Sequence, residues 1–503
     1  MTSTEIPAVV TGDAGIALAD VTAAARTAAG WLAETSLDAR AELLEAVADA
    51  LDAHVDELVA IADRETALGT TRLTGEVART TGQLRLFASA VREGSHLEVT
   101  IDHADPDATP PRPDLRRMLV PLGPVAVFTA SNFPFAFSVA GGDTASALAA
   151  GCPVVVKAHS GHAELSRRTA GVVADALRAA GAPAGVFAHV EGRETGVALV
   201  QDPAIRAVGF TGSLGGGRAL FDLAAGRPDP IPFYGELGSI NPVVVTRAAA
   251  TARGRQLAAG LTGSFTMGVG QFCTKPGVLL VPADVGFEDA VVAAVTDAGG
   301  RPQRMLTTRI AEQFRDGTAA LADSAAVQTL VGPGETVEGA ATPQVFATDV
   351  AALLADTDHL LEERFGPACL LVRYLDEEEL HAAIEVLPGS LTATIHAEPD
   401  EDVADLARRL RELAGRVLFG GWPTGVAVTW SQHHGGPWPA TTAPLHTSVG
   451  VSAIRRFLRP VTYQDAPASA LPAALQEANP LGVPRRVDGH LEVPGAGGPS
   501  DAT

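Results

Sequence analysis

Hydrophobic positions recur along this chain with two different periods, and the change of period divides it. Between residues 14 and 95 apolar side chains return every three or four positions, as at Leu43, Leu44, Val47, Leu51 and Val55, with acidic residues between them. That spacing puts the apolar groups on one face, so the segment is predicted as a run of amphipathic helices. Residues 98–116 are rich in Pro and Asp and lack a period, as in an exposed connection or an edge-strand excursion. From Met118 short apolar runs alternate with helical stretches. MLVPLGPVAVFTA reads as strand, turn, strand; 135–150 as a helix packed through small residues; PVVVKA (153–158) as a buried strand; 162–180 as a helix. VFAHVEG (186–192) is a strand, 194–201 a short helix, and AVGFTGS (207–213) a strand running into a glycine loop. This repetition predicts an α/β fold with a doubly wound parallel sheet. A second α/β region runs from about Tyr234 to Phe457, with strands near 243–246, 277–282, 369–374, 391–395 and 416–420. The tail 460–503 is rich in Pro, Ala and Gly and is expected to wrap or fray.

Composition narrows the class. The 503 residues carry 37 Lys+Arg against 59 Asp+Glu, a formal net charge of −22. An acidic surface argues against nucleic-acid or anionic-membrane partners, because phosphate binding needs a basic face. Cys152, Cys273 and Cys369 are too few for a disulfide framework, so a reducing cytoplasm is expected. The N-terminal MTSTEIPAVVTGD shows no secretory pattern, and the most membrane-like stretch, Phe133 to Val156, is broken by Pro134, Asp143 and Pro153. Only two of the 37 basic residues are lysine, Lys157 and Lys275. A mutational bias toward arginine would leave lysine where a compact ammonium is needed.

Five places carry candidate chemistry. In GFTGSLGGG (209–217) the Thr211, Gly212, Ser213 and Gly217 positions join a strand end to a helix start, where backbone amides can meet a pyrophosphate. Such turns are also common without a ligand, and the spacing is not GxGxxG. Cys273, in GSFTMGVGQFCTKPG, is either a nucleophile on a glycine-flanked loop or a small core hydrophobe. Glu236 in FYGELGSINP is a general base or a solvated loop acid. Glu363 in LEERFGP is a ribose ligand or a surface charge, and Asn132 in ASNFPF an oxyanion donor or a structural turn. The 13 histidines show no metal-ligand spacing, and the adjacent His433 and His434 are not placed to chelate together, so no metal is expected.

In order, SNFP, VVVKAHS, FTGS, ELG, GQFCTKPG and ERFGP resemble the aldehyde dehydrogenase superfamily from about residue 20 to 460. ELGSINP, RPDPIPFYG, the short loop into Cys273 and FLRPVTYQDAP look most like the 2-ketoglutaric semialdehyde (2,5-dioxopentanoate) dehydrogenases. The resemblance implies a Rossmann-type cofactor domain (1–97 and 119–234), an α/β catalytic domain (235–457), and an oligomerisation arm with tail (98–118 and 458–503). It implies a homodimer or homotetramer. It also implies that Cys273 attacks the aldehyde, that Asn132 and the Cys273 N–H hold the oxyanion, and that Glu236 activates the water that hydrolyses the thioester. Glu363 and Phe365 would orient the nicotinamide ribose and ring.

Lys157 matches the adenosine-ribose lysine of the family. Three residues on, where NAD-preferring members often carry Glu, stands Ser160; with Arg193 nearby, NADP is the expected cofactor, with NAD tolerated. For a carboxylated semialdehyde the candidate anchor is Lys275, and Phe135, Phe272 and Trp438 are candidates for the aldehyde tunnel, with ordinary core packing as the competing role. Oxidation of 2,5-dioxopentanoate to 2-oxoglutarate is thus expected. The alternatives are succinate semialdehyde or broad aliphatic aldehydes, or a catalytically silent binding protein; a CoA-acylating form is disfavoured by Glu236.

Overall fold

The structure is a computed structural model that describes residues 9–10 and 17–494. Four helices open the described chain: α1 (Leu18–Glu34), α2 (Leu37–Ala53), α3 (Val55–Thr66) and α4 (Thr70–Glu93). The apolar stripe read from the sequence faces inward: Leu43, Leu44, Val47 and Leu51 are buried in the largest core cluster with Leu84 and Phe87 of α4.

Five parallel strands follow: β1 (Val125–Phe128), β2 (Val154–Lys157), β3 (Phe187–Val190), β4 (Ala207–Thr211) and β5 (Phe233–Glu236). They lie in the order β3-β2-β1-β4-β5, with Val9–Val10 pairing outside β3. Their near-unbroken Val, Ala and Phe runs are what a sheet covered on both faces requires. Crossovers are made by α5 (Gly142–Ala150), α6 (Ala163–Ala179), α7 (Arg193–Gln201) and α8 (Leu214–Ala225). Because the strand order reverses beside β1, a crevice opens at the carboxyl ends of the strands.

The helix expected over 135–150 begins only at Gly142; residues 131–141 form successive turns. The cause is not local. Glu76 on α4 accepts the backbone N–H groups of Phe135 and Ala136 through Oε1, at 2.9 and 3.0 Å, and these donors are then lost to a helix.

The second sheet has seven strands: β6 (Val243–Val245), β7 (Val278–Pro282), β8 (Gln328–Val331), β9 (Gln344–Asp349), β10 (Ala368–Tyr374), β11 (Ser390–His396) and β12 (Ala414–Phe419), in the order β8-β9-β10-β7-β6-β11-β12. Only β8 pairs antiparallel. The sequence reading missed β8 and β9. Helix α9 (Arg247–Thr266) packs across this sheet and delivers the chain to the loop before Cys273. The Pro- and Asp-rich excursion and the tail as far as residue 494 both contribute strands, while residues 495–503 of the tail lie outside the described residues. Val99–Asp102, Leu115–Pro121, Leu458–Gln464, Arg485–Val487 and His490–Glu492 join in one five-stranded sheet. No helix among the described residues is long and apolar enough to cross a membrane.

Candidate active site

Cys273 sits on a tight loop between α9 and β7. Gly268, Val269 and Gly270 all take positive φ there. At Gly270 (φ +66°) a Cβ would lie 2.3 Å from the backbone of Gly366, so only glycine lets this loop meet the ERFGP loop. Asn241, itself at φ +48°, holds the loop from below: its Nδ2 donates to the carbonyls of Cys273 (2.8 Å) and Lys275 (2.9 Å). Its Oδ1 accepts from Ser239 and from the Thr392 hydroxyl. The sequence reading passed over Asn241; the available signal was an Asn-Pro step after a strand, since Asn tolerates the left-handed region.

Asn132 is brought to the same loop, its Nδ2 donating to the carbonyl of Gln271 at 3.0 Å. That uses one of its two amide hydrogens. No acceptor among the described residues takes the Cys273 N–H. Two donors therefore remain beside the sulfur.

Glu236, at the end of β5, is buried with two partners: the His434 Nε2 at 3.0 Å from Oε1, and the Ser448 hydroxyl donating to Oε2 at 2.8 Å. Nε2 is also 3.6 Å from the Cys273 Sγ. An ionised carboxylate can only accept, so Nε2 carries the hydrogen. The ligating atoms of Glu236, Cys273 and His434 all lie within 4.8 Å of one another. Burial raises the Glu236 pKa, but the His434 imidazole and the hydrogen bonds from His434 and Ser448 outweigh it and hold the carboxyl below its ordinary value. Burial first, and the Glu236 carboxylate second, push the Cys273 thiol well above its ordinary value. Local spacing does not single out His434, because its contact with Glu236 is made only when the fold brings it to β5.

Beside this cluster a cleft of about 1480 Å³ runs across the carboxyl ends of β1, β2, β4 and β5. Lys157, Ser160, Arg193, Thr211, Gly212, Ser213, Glu363 and Phe365 all line it, together with Asn132, Glu236 and Cys273. Ser213 caps α8 by accepting from the Gly216 N–H, and a Cβ at Gly215 would meet nothing within 4 Å, so the helix start is open to the cleft. The Lys157 ammonium has no hydrogen-bond or ion-pair partner among the described residues, and burial lowers its pKa. An unpaired cation, an open helix N-terminus and this volume fit a dinucleotide.

Four positions fall elsewhere. Gly217 is buried against Leu237, whose side chain would stand 2.1 Å from an added Cβ, so it serves helix–strand packing and does not line the cleft. The Lys275 ammonium is buried and donates to the carbonyls of Arg364 (3.0 Å) and Ala368 (2.8 Å), beneath the ERFGP loop. It is spent on backbone, not offered to a substrate. Phe135 is 3% exposed within the core shared with the N-terminal helices. Trp438 lies on the surface, with the Arg218 guanidinium 5.6 Å from its ring. Phe272 does adjoin the nucleophile, edge-on to Phe133 at 5.1 Å; Phe133 in turn packs on Phe137 at 5.5 Å, and Phe137 lies 6.1 Å from the His434 ring. Phe133 and Phe137 were not singled out from the sequence.

A sequence model of the aldehyde dehydrogenase family matches residues 2–437. The alpha-ketoglutaric semialdehyde dehydrogenase 2 of Azospirillum brasilense is 48% identical over 466 residues, 91% of this chain and 88% of that protein. The alpha-ketoglutaric semialdehyde dehydrogenase of Acinetobacter baylyi is 44% identical over 462 residues, again 91% and 88%. In fold, aldehyde dehydrogenase C of Pseudomonas syringae, solved with NAD+ and octanal, superposes with a TM-score of 0.74 at 22% identity, over 90% of each chain. A family match of this extent, together with such relatives, establishes that the chain belongs to the aldehyde dehydrogenase family.

Proposed function

We propose that this protein oxidises 2,5-dioxopentanoate, the semialdehyde of 2-oxoglutarate, to 2-oxoglutarate, with NADP preferred over NAD. The observation that carries the reading is the convergence of the Cys273 thiol and the Glu236 carboxylate at one end of a dinucleotide-sized cleft, in a chain 48% identical to an alpha-ketoglutaric semialdehyde dehydrogenase. The Cys273 thiol passes its proton to the neighbouring Glu236 carboxylate, which releases it to solvent, and the Sγ adds to the aldehyde carbon, with the oxyanion met by the Cys273 N–H and the free amide hydrogen of Asn132. Bound NAD(P), held by the residues lining the cleft, would supply the two-electron acceptor for the hydride lost from the aldehyde carbon. The acyl group then rests on Cys273 as a thioester. Glu236, aimed by His434 and Ser448, takes a proton from the water that attacks it, releasing the acid and the thiol.

NADP preference is supported by neutral Ser160 beside the unpaired Lys157, with exposed Arg193 at the start of α7 on the same cleft. A carboxylate at Ser160 would repel a 2′-phosphate. The five-stranded arm sheet, whose outer strand His490–Glu492 is exposed and carries Leu491 at 63% exposure, supports a homo-oligomer, dimer or tetramer. The deciding experiment follows NAD(P)H absorbance with 2,5-dioxopentanoate, succinate semialdehyde and a simple alkanal, each with both cofactors, for the natural enzyme and Cys273→Ala. The reading requires the highest kcat/KM for 2,5-dioxopentanoate with NADP, and none of it in the variant. A tenfold advantage for NAD would overturn the cofactor assignment, and equal rates with and without Cys273 the enzymatic one.

A further inference from the structure

With Lys275 committed to backbone carbonyls, the distal carboxylate of a semialdehyde needs another partner near the nucleophile. Helix α4 offers two. Arg72 and Arg79 lie two helical turns apart on it, both half-buried, and neither has a carboxylate within 4.0 Å among the described residues. This is unusual in a chain with 59 acidic residues, where other buried or half-buried arginines such as Arg116, Arg373 and Arg456 are held by a carboxylate. Their positions are set by aromatic rings. Arg72 stands 5.3 Å over Phe133 and 4.9 Å over Phe272; Arg79 stands 5.7 Å over Phe133 and 5.4 Å over Phe137. Stacking of this kind fixes a guanidinium plane while leaving its N–H groups unused. Those groups are indeed open: Arg72 Nη1 and Arg79 Nε are buried with no acceptor, and the one hydrogen bond of the pair runs from Arg72 Nη2 to the Asn132 carbonyl at 2.6 Å. Glu76, between them on the helix, accepts from the backbone of Phe135 and Ala136 through Oε1 alone; its Oε2 is buried without a partner, and although its charge favours both guanidinium groups it comes within ion-pair distance of neither.

The placement is specific. Arg72 touches the loop that carries Asn132 and the ring next to Cys273, so it bridges both sources of oxyanion donors. Arg79 is one ring removed from His434, which is 3.6 Å from the sulfur. A five-carbon semialdehyde has four carbon–carbon bonds of ~1.5 Å between its ends, a reach of about 5 Å. Arg79 lies close enough to Cys273 for their charges to act on each other, so one such molecule is asked to span only the short gap between them. A buried guanidinium lacking an acceptor is costly until an anion arrives.

We propose that Arg72 and Arg79 are the binding site for the distal carboxylate of the substrate, the feature by which a carboxylated aldehyde is preferred to a neutral one of equal length. This rests on the semialdehyde reading above. The test compares 5-oxopentanoate with pentanal, which differ only in the carboxylate, in the natural enzyme, Arg79→Gln, Arg79→Lys and the double variant Arg72→Gln/Arg79→Gln. The ratio of kcat/KM for the acid to that for the alkanal is expected to fall about 10–100-fold in Arg79→Gln, mainly through KM. It should fall further in the double variant and recover in part with lysine. Pentanal turnover reports that each variant is folded. A ratio unchanged in Arg79→Gln and in the double variant, including a parallel loss on both substrates, overturns the arginine site alone. A natural enzyme that does not prefer the acid overturns the semialdehyde reading and the arginine site with it.

Discussion

Replacing His434 with alanine removes the group that joins Glu236 and Cys273, the base and nucleophile of the proposed reaction. In the folded protein Glu236 is buried with one hydrogen bond on each oxygen, from His434 at 3.0 Å and Ser448 at 2.8 Å. A hydrogen bond to a charged group is worth about 1.5–3 kcal/mol, which at 1.36 kcal/mol per pKa unit is a shift of about 1–2 units. The sign is fixed: His434 lowers the Glu236 pKa against the effect of burial, so its loss raises it. In the proposed reaction Glu236 acts only as the carboxylate, so activity is lost as pH falls through this pKa, and the acid limb of the kcat profile should move upward by about 1–2 units in His434→Ala. Since the water-activating step is the one impaired, the variant should also show a larger pre-steady-state burst of NAD(P)H at pH 6. His434→Gln keeps a donor and should restore part of the profile. An acid limb for His434→Ala that superimposes on that of the natural enzyme, with the same thermal midpoint, would refute the role given to this hydrogen bond.

Other outcomes follow from the same geometry. The Glu236 carboxylate is the second cause of the raised Cys273 pKa, so Glu236→Gln should alkylate faster with iodoacetamide at pH 7–8 than the natural enzyme, as read by mass spectrometry; slower alkylation would contradict this. Ser160→Glu should reduce the kcat/KM for NADP relative to NAD by at least tenfold, and an unchanged ratio would remove Ser160 from the cofactor argument. Lys275→Met strips the donor from two buried carbonyls, a cost of about 2–4 kcal/mol that should appear as a lower urea midpoint; an unaltered midpoint would mean that the ammonium is not structural.

How much of this was legible beforehand depended on range. Strands such as 153–158 and 207–213 were readable because a strand covered on both faces must be a short apolar run. β9 is just as buried, but Gln344, Thr348 and Asp349 break its apolar pattern, and it was missed. The turns over 131–141 were read as helix because the carboxylate that claims their N–H groups comes from α4. Likewise Lys275 stands out by rarity and by its distance of two residues from Cys273, yet the turn closed by its N–H on the Phe272 carbonyl (3.1 Å) sends its side chain under the loop to carbonyls no local pattern would pair with it.

By itself the sequence determined the α/β class, the order of the motifs, and the residue types able to act as nucleophile, base and dinucleotide contact, because these are set by periodicity and by chemistry carried within a few neighbouring residues. Tertiary structure alone decided the partners. His434 reaches Glu236 and Cys273 from 198 and 161 residues away, and Arg72 reaches the Asn132 carbonyl across 60. Hydrogen bonds and ion pairing act over a few ångströms of space, not along the chain, so which buried donor finds which acceptor is settled only when the fold brings them together.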